Sequence, residues 1–222
     1  MSQLGHRAQQ NTNSFTGMKC TILCLSAVFL FSLYVSAQQA APLDEAVARA
    51  SLSIKPPRNP VKSSSPIVKR TYERRAAKGL TVETGAAEAA AEVEVIHRAD
   101  GSTEEHPFVP LPILFVVNSD QLLDATSRAN AAKMAGILTD LIEKEKAVFA
   151  IQGHTSAEGD AAANQQLSER RADRLLAMLT DQGVAAAQLT AQGLGEDCAR
   201  FPESASEAQL QQDRRVLIVR MK

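Results

Sequence analysis

Tryptophan is absent from this 222-residue chain, aromatic residues make up only 4% of it, and there are just three cysteines. So few cysteines exclude a disulfide-stapled scaffold. Cys20 and Cys24 fall in an apolar N-terminal run, which leaves Cys198 as the one thiol beyond it. A lone thiol in an oxidising compartment invites a bridge between chains, although a small, partly buried loop residue is the plainer reading. Long apolar runs are missing too: Thr21 to Val35 is 15 residues, short of the roughly 20 that a membrane-crossing helix needs. Lys19 before this run and Val35-Ser36-Ala37 at its end give the basic, apolar, small-x-small order of a secretory signal. Residues 1–37 are therefore assigned as a signal peptide, with Met18 as the natural start. The mature chain is expected to leave the cytoplasm and not to span a membrane. Neither Cys20 nor Cys24 sits in a lipoprotein cleavage pattern, and no series of roughly ten-residue alternating strands of the membrane-barrel kind is read.

Charge of one overall sign is lacking as well. The formal net charge is −1, and −3 without residues 1–37, which gives no reason to expect a nucleic-acid partner. The balance is uneven along the chain. Eight basic residues between Lys55 and Lys78 face Glu73 alone, whereas residues 79–106 carry seven acids against Arg98. The basic stretch suits contact with anionic wall polymer or lipid headgroups, or simply a linker kept extended by its own repulsion.

Residues 38–91 hold Pro42, Pro56, Pro57, Pro60 and Pro66, the run Ser63-Ser64-Ser65, and few large apolar side chains. They read as a disordered, basic, proline-rich linker. Residues 92–110 read as a β-hairpin: Val93 to Arg98, a turn at Asp100-Gly101, and a return strand from Ser102 to Val109. The hairpin is expected to pack beside the domain that follows.

That domain, residues 111–222, opens with a strand over Leu111 to Val117. Asp124 caps a helix whose apolar face is Ala131, Met134, Ile137, Leu138 and Leu141. A strand follows over Ala147 to Gln152. Asp160 caps a second helix with a buried stripe of Leu167, Ala172, Leu175, Leu176 and Leu179, closed by Gly183 and Val184. Strands over Leu189 to Gly193 and Val216 to Met221 complete it, separated by a polar excursion, Asp197 to Gln212. The predicted fold class is α+β: a two-layer sandwich of a mixed four-stranded sheet with two long helices on one face, in the order β-α-β-α-β-β.

Four spaced blocks carry the chemistry: Gly153-His154-Thr155-Ser156-Ala157-Glu158-Gly159; Asn164 with Leu167-Ser168-Glu169-Arg170-Arg171-Ala172; Gly193-Leu194-Gly195-Glu196; and Asp213-Arg214-Arg215-Val216. Together they resemble the OmpA-like peptidoglycan-binding domain found at the C-terminus of OmpA, Pal and MotB, as a divergent member. The resemblance implies a groove beside the loop after the second domain strand, where an Asp answers the ammonium and an Arg the carboxylate of the wall peptide's diaminopimelate. Arg171 lies fifteen positions after Ser156, as the pattern requires, but Ser156 stands where the Asp is usual. Asp213 likewise stands for the Asn of an Asn-Arg-Arg-Val block, in which a structural role competes with ligand contact.

The ligand residues implied are Thr155, Ser156, Asn164, Arg171 and Arg215, with Leu167 given to core packing. Glu158 and Asp160 are the acids nearest to Ser156, and Asp160 already has a cap to make. A hydroxyl in place of a carboxylate weakens the ammonium contact by roughly 1 kcal/mol or more. No catalytic set, cofactor or metal site is read. His97, His106 and His154 are scattered without ligand spacing, Ser156 is in no Gly-x-Ser-x-Gly elbow, and Gly193-x-Gly195 lacks the third glycine of a dinucleotide loop. The expectation is a periplasmic or envelope protein, associated in some way with the outer membrane, that binds peptidoglycan weakly. The alternative is an assembly module for other envelope proteins that has lost wall binding.

Overall fold

The computed structural model describes residues 39–56, 65–76 and 90–222. The signal peptide assigned to 1–37 lies outside the described residues. In chain order the elements are α1 (Glu45–Ser53), β1 (Ile67–Ala76), β2 (Ala90–Arg98), β3 (Thr103–Leu111), α2 (Ala125–Glu145), β4 (Phe149–Gly153), α3 (Ala161–Asp181), β5 (Leu189–Gly193), α4 (Glu207–Asp213) and β6 (Val216–Arg220).

The two long helices begin and end for local reasons. Asp124 accepts from the Ser127 amide and Asp160 from the Ala163 amide, each satisfying a first-turn donor that has no partner within the helix. Gly183, at φ 94°, turns the chain out of α3, and the Val184 amide returns to the Leu179 carbonyl at 3.1 Å. Between these ends the predicted faces of α2 (Ala131, Met134, Ile137, Leu138, Leu141) and of α3 (Ala172, Leu175, Leu179) are buried against Phe149, Ile151, Val216 and Ile218 of the sheet.

The sheet has six strands, not the expected four, in the order β1-β2-β3-β6-β4-β5, with β4 and β5 parallel and every other pair antiparallel. The expected first strand over Leu111 to Val117 is not formed. β3 stops at Leu111, where the Ile113 amide turns back to the Leu111 carbonyl at 2.8 Å and Asn130 of α2 takes the Pro112 carbonyl at 2.6 Å, and the next residues make a loop held by one bridge, Phe115 to Leu122. The strand role passes to the return arm of the hairpin, which pairs with β6 from Phe108↔Val219 to Leu111↔Val216. The hairpin is thus inside the sheet and not beside it.

Two segments of the stretch expected as linker are ordered. Asp44 caps α1, and Leu43, Ala48 and Leu52 join the main core. Asn130 receives the Leu43 amide and donates to the Ala41 carbonyl. Arg220, 1% exposed, donates to the Leu52 carbonyl and pairs with Glu145 at 2.9 Å. Proline and serine counts averaged over residues 38–91 conceal these few apolar residues, whose burial is enough to order one short helix.

Strand β1 covers the helix-free face. Tyr72 Oη reaches Gln152 of β4 at 3.5 Å, although four strand spacings of a flat sheet would separate them by about 19 Å; the sheet is therefore strongly curled. Glu94, fully buried, accepts from Arg70 of β1 and from Gln152 at 3.0 Å, and Tyr72 packs edge-on to Phe108 with ring centroids 5.5 Å apart. Leu52→Ala is expected to lower unfolding stability by about 3 kcal/mol, the usual loss for an emptied leucine site. In urea denaturation the midpoint should fall, while Val47→Ala, at an exposed position of the same helix, leaves it nearly unchanged.

Candidate ligand groove

The groove exists because α3 lies on bare backbone. Gly153 and Gly193 are paired at the ends of the parallel strands β4 and β5. A Cβ at Gly153 would stand 2.4 Å from the Ser168 carbonyl oxygen, and one at Gly193 2.4 Å from the Glu169 amide nitrogen. Ser168, fully buried, accepts from the Gly195 amide at 2.9 Å. The first half of α3 is thereby pressed onto the loop that leaves β4.

That loop is shaped from within. The Thr155 amide donates to the Gly195 carbonyl at 2.9 Å, and Asn164 Nδ2 donates to the Glu158 carbonyl at 2.8 Å and to Glu196 at 2.7 Å. Thr155, Ser156, Asn164 and Arg171 line one open groove of about 520 Å³, with Phe115 and Leu167 on its apolar side. Leu167 is half-buried at the groove and not in the expected core position, because Ser168 takes the inward position, its backbone over Gly153 and its hydroxyl on the Gly195 amide.

Arg215 is not in the groove. Successive residues entering β6 point to opposite faces, so Arg215 stands on the helix-free face, its guanidinium 5.2 Å from the Tyr72 ring centroid and 3.3 Å from the Cys198 carbonyl oxygen. Arg214 takes the groove position. Its Nε donates to Ser156 Oγ at 3.2 Å and Nη2 to Glu158 at 2.5 Å, and Nη1 pairs with Glu207 of α4. Asp213, fully buried, accepts from the Arg200 and Phe201 amides at 2.9 and 3.0 Å, which ties the polar excursion to the start of β6. His154 is buried with both ring nitrogens unpartnered among the described residues; burial first, and then the charge of Arg215, hold it well below the usual imidazole range, so it is a neutral packing residue beneath Tyr72. Cys198 is half-buried, its thiol pushed up by burial.

Residues 114–215 match the family model described as the OmpA family. Over these residues the chain is similar to the OmpA family. The chain is 34% identical over 108 residues to the outer-membrane lipoprotein YfiB of Pseudomonas aeruginosa, covering 48% of this chain and 61% of that protein. It is 44% identical over 66 residues to outer membrane porin F of Pseudomonas fluorescens, covering 30% and 20%. The chain thus spans well under the full length of either curated relative. The crystal structure of the peptidoglycan-associated lipoprotein from Burkholderia pseudomallei aligns at 27% identity over 49% of this chain and 88% of that one, with a TM-score of 0.43.

Within the OmpA-like domain the two groove arginines differ in their counter-charges. Arg214 has two glutamates, which raise its pKa, Glu207 most. Arg171 is 7% exposed and has no carboxylate partner among the described residues; its Nε donates to the Ser119 carbonyl at 3.0 Å and its guanidinium lies 4.8 Å from the Phe115 ring centroid. Desolvation, with Arg214 and Arg170 adding to it, lowers its pKa to about 10. A cation depressed in the folded state disfavours folding at every pH below that value, and the penalty lifts only as pH rises through about 10. Arg171→Met, which keeps the contact with Phe115 and removes the charge, is therefore expected to stabilise the ligand-free domain by about 1 kcal/mol near neutral pH, read as a higher melting temperature.

Proposed function

We propose that the chain is an exported envelope protein whose OmpA-like domain binds peptidoglycan non-covalently, and weakly, through the diaminopimelate stem peptide. The observation that carries this reading is Arg171: a buried guanidinium, oriented through Nε, with no carboxylate beside it, lining an open groove. Such a charge is stabilised when a ligand carboxylate supplies the missing counter-ion through charge-assisted hydrogen bonds. The two curated relatives are named for the outer membrane, which supports an envelope location. Among the described residues no helix is long and apolar enough to cross a membrane.

Weakness follows from Ser156. The residue is 4% exposed, and its hydroxyl offers no charge and already accepts from Arg214. Purified diaminopimelate-type sacculi should retain the protein in a pull-down and release Arg171→Ala. Ser156→Asp should bind several-fold more tightly, because Arg214 is already paired with Glu158 and Glu207 and the added carboxylate is left to draw in an ammonium. Retention of Arg171→Ala equal to wild type would contradict the reading. A second reading, an assembly module that has lost the wall ligand, is favoured by the same engaged serine; it requires that neither protein be retained.

A further inference from the structure

The groove holds two cations and two anions that matter to a ligand, and their pairing is lopsided. Glu158 and Glu207, the acids that line it, both converge on Arg214. Gln211 of α4 receives the same guanidinium at 3.3 Å. The neutral acceptor Ser156 Oγ is taken by Arg214 Nε, so the place where a ligand ammonium would seek an anion is filled by a cation from the protein itself. Glu196 is engaged with Asn164 and does not line the groove. Asp120 acts on Arg171 only through space, against the stronger opposing influence of Arg214 and Arg170. Across the groove Arg171 keeps Nε on Ser119 and faces the cavity without a carboxylate partner among the described residues.

We infer, resting on the wall-peptide reading above, that this groove is a one-ended receptor: it reads the ligand's carboxylate through Arg171 and does not read the ammonium, because Arg214 holds both Glu158 and Glu207 at hydrogen-bond distance and places its own guanidinium at Ser156. The ligand class is a wall peptide bearing a free carboxylate at the distal centre of diaminopimelate, whether or not the amine beside it is free. An ammonium gains nothing from a site whose anions are already paired at hydrogen-bond distance, while a carboxylate gains charge-assisted bonds to a desolvated guanidinium. A peptide whose distal carboxylate is converted to the amide, or which has lysine in place of diaminopimelate, lacks the one group the groove recognises.

Isothermal titration of the mature protein with synthetic L-Ala–γ-D-Glu–meso-diaminopimelate in three forms tests this: unmodified, acetylated on the distal amine, and amidated on the distal carboxylate. Acetylation is expected to leave Kd within about twofold, and amidation to weaken it about tenfold or more, the usual loss for a charge-assisted contact. Arg214→Gln, with its fold checked by circular dichroism, frees Glu158 and Glu207 and should create a preference of several-fold for the unmodified over the acetylated peptide. Acetylation weakening the wild type as much as amidation does would overturn the one-ended reading while leaving wall binding in place. An Arg214→Gln protein still indifferent to acetylation would overturn the role given to Arg214. Failure of all three peptides to bind, together with failure of sacculi to retain the protein, would instead remove the wall reading itself.

Discussion

A guanidinium held out of water without a carboxylate beside it raises the free energy of any fold that contains it, and the architecture of this domain converges on one such group, Arg171. The paired glycines at the ends of β4 and β5 let α3 lie on bare strand backbone. That contact brings the first half of the helix down onto the loop after β4, and the Ser119 carbonyl and the Phe115 ring then fix the guanidinium at the groove wall. Phe115 and Ser119 belong to the loop that follows the end of β3 at Leu111, so the turn out of the sheet there supplies the platform for the arginine.

The other side of the groove is built on opposite electrostatic terms. Arg214 is saturated by Glu158, Glu207 and Ser156, and so cross-links the β4 loop to the short helix α4. Beneath it, Asp213 gathers two amides of the excursion, and Arg215 stacks over Tyr72 on the far face. Three consecutive residues thus serve three environments: a buried carboxylate that folds a loop, a groove cation held in a clasp, and a packing cation under the curled edge strand. One arginine of the groove is thus paired with carboxylates and the other is not.

Much of this was legible in the sequence where a signal is local. The caps Asp124 and Asp160, the Gly183–Val184 helix exit, the apolar stripes of α2 and α3, and the residue spacing that brings Thr155, Ser156, Asn164 and Arg171 to one groove all follow from positions a few residues apart. What escaped depended on partners distant in the chain. Helix α1 is ordered by Asn130 and Arg220, and β1 by a buried glutamate on β2, so composition across 38–91 pointed to a linker. The apolar run after Leu111 reads as a strand by hydrophobicity alone, whereas the turn that ends β3 there is held by Asn130, distant in the chain. Leu167 looked like core because the close approach at Gly153 is invisible until helix and strand are docked. The choice between Arg214 and Arg215 turned on a register of one residue, and strand alternation at Val216 was the signal that could have decided it.

On the proposed reading Arg171 takes its carboxylate from outside the protein. Side-chain NMR of the arginine guanidinium groups during titration with the unmodified stem peptide tests this. The Arg171 Nε and Nη signals should shift and its protons exchange more slowly as ligand is added, with Arg214 changing little. Shifts confined to Arg214, Glu158 and α4, with Arg171 unmoved at saturation, would rule out a ligand carboxylate at Arg171.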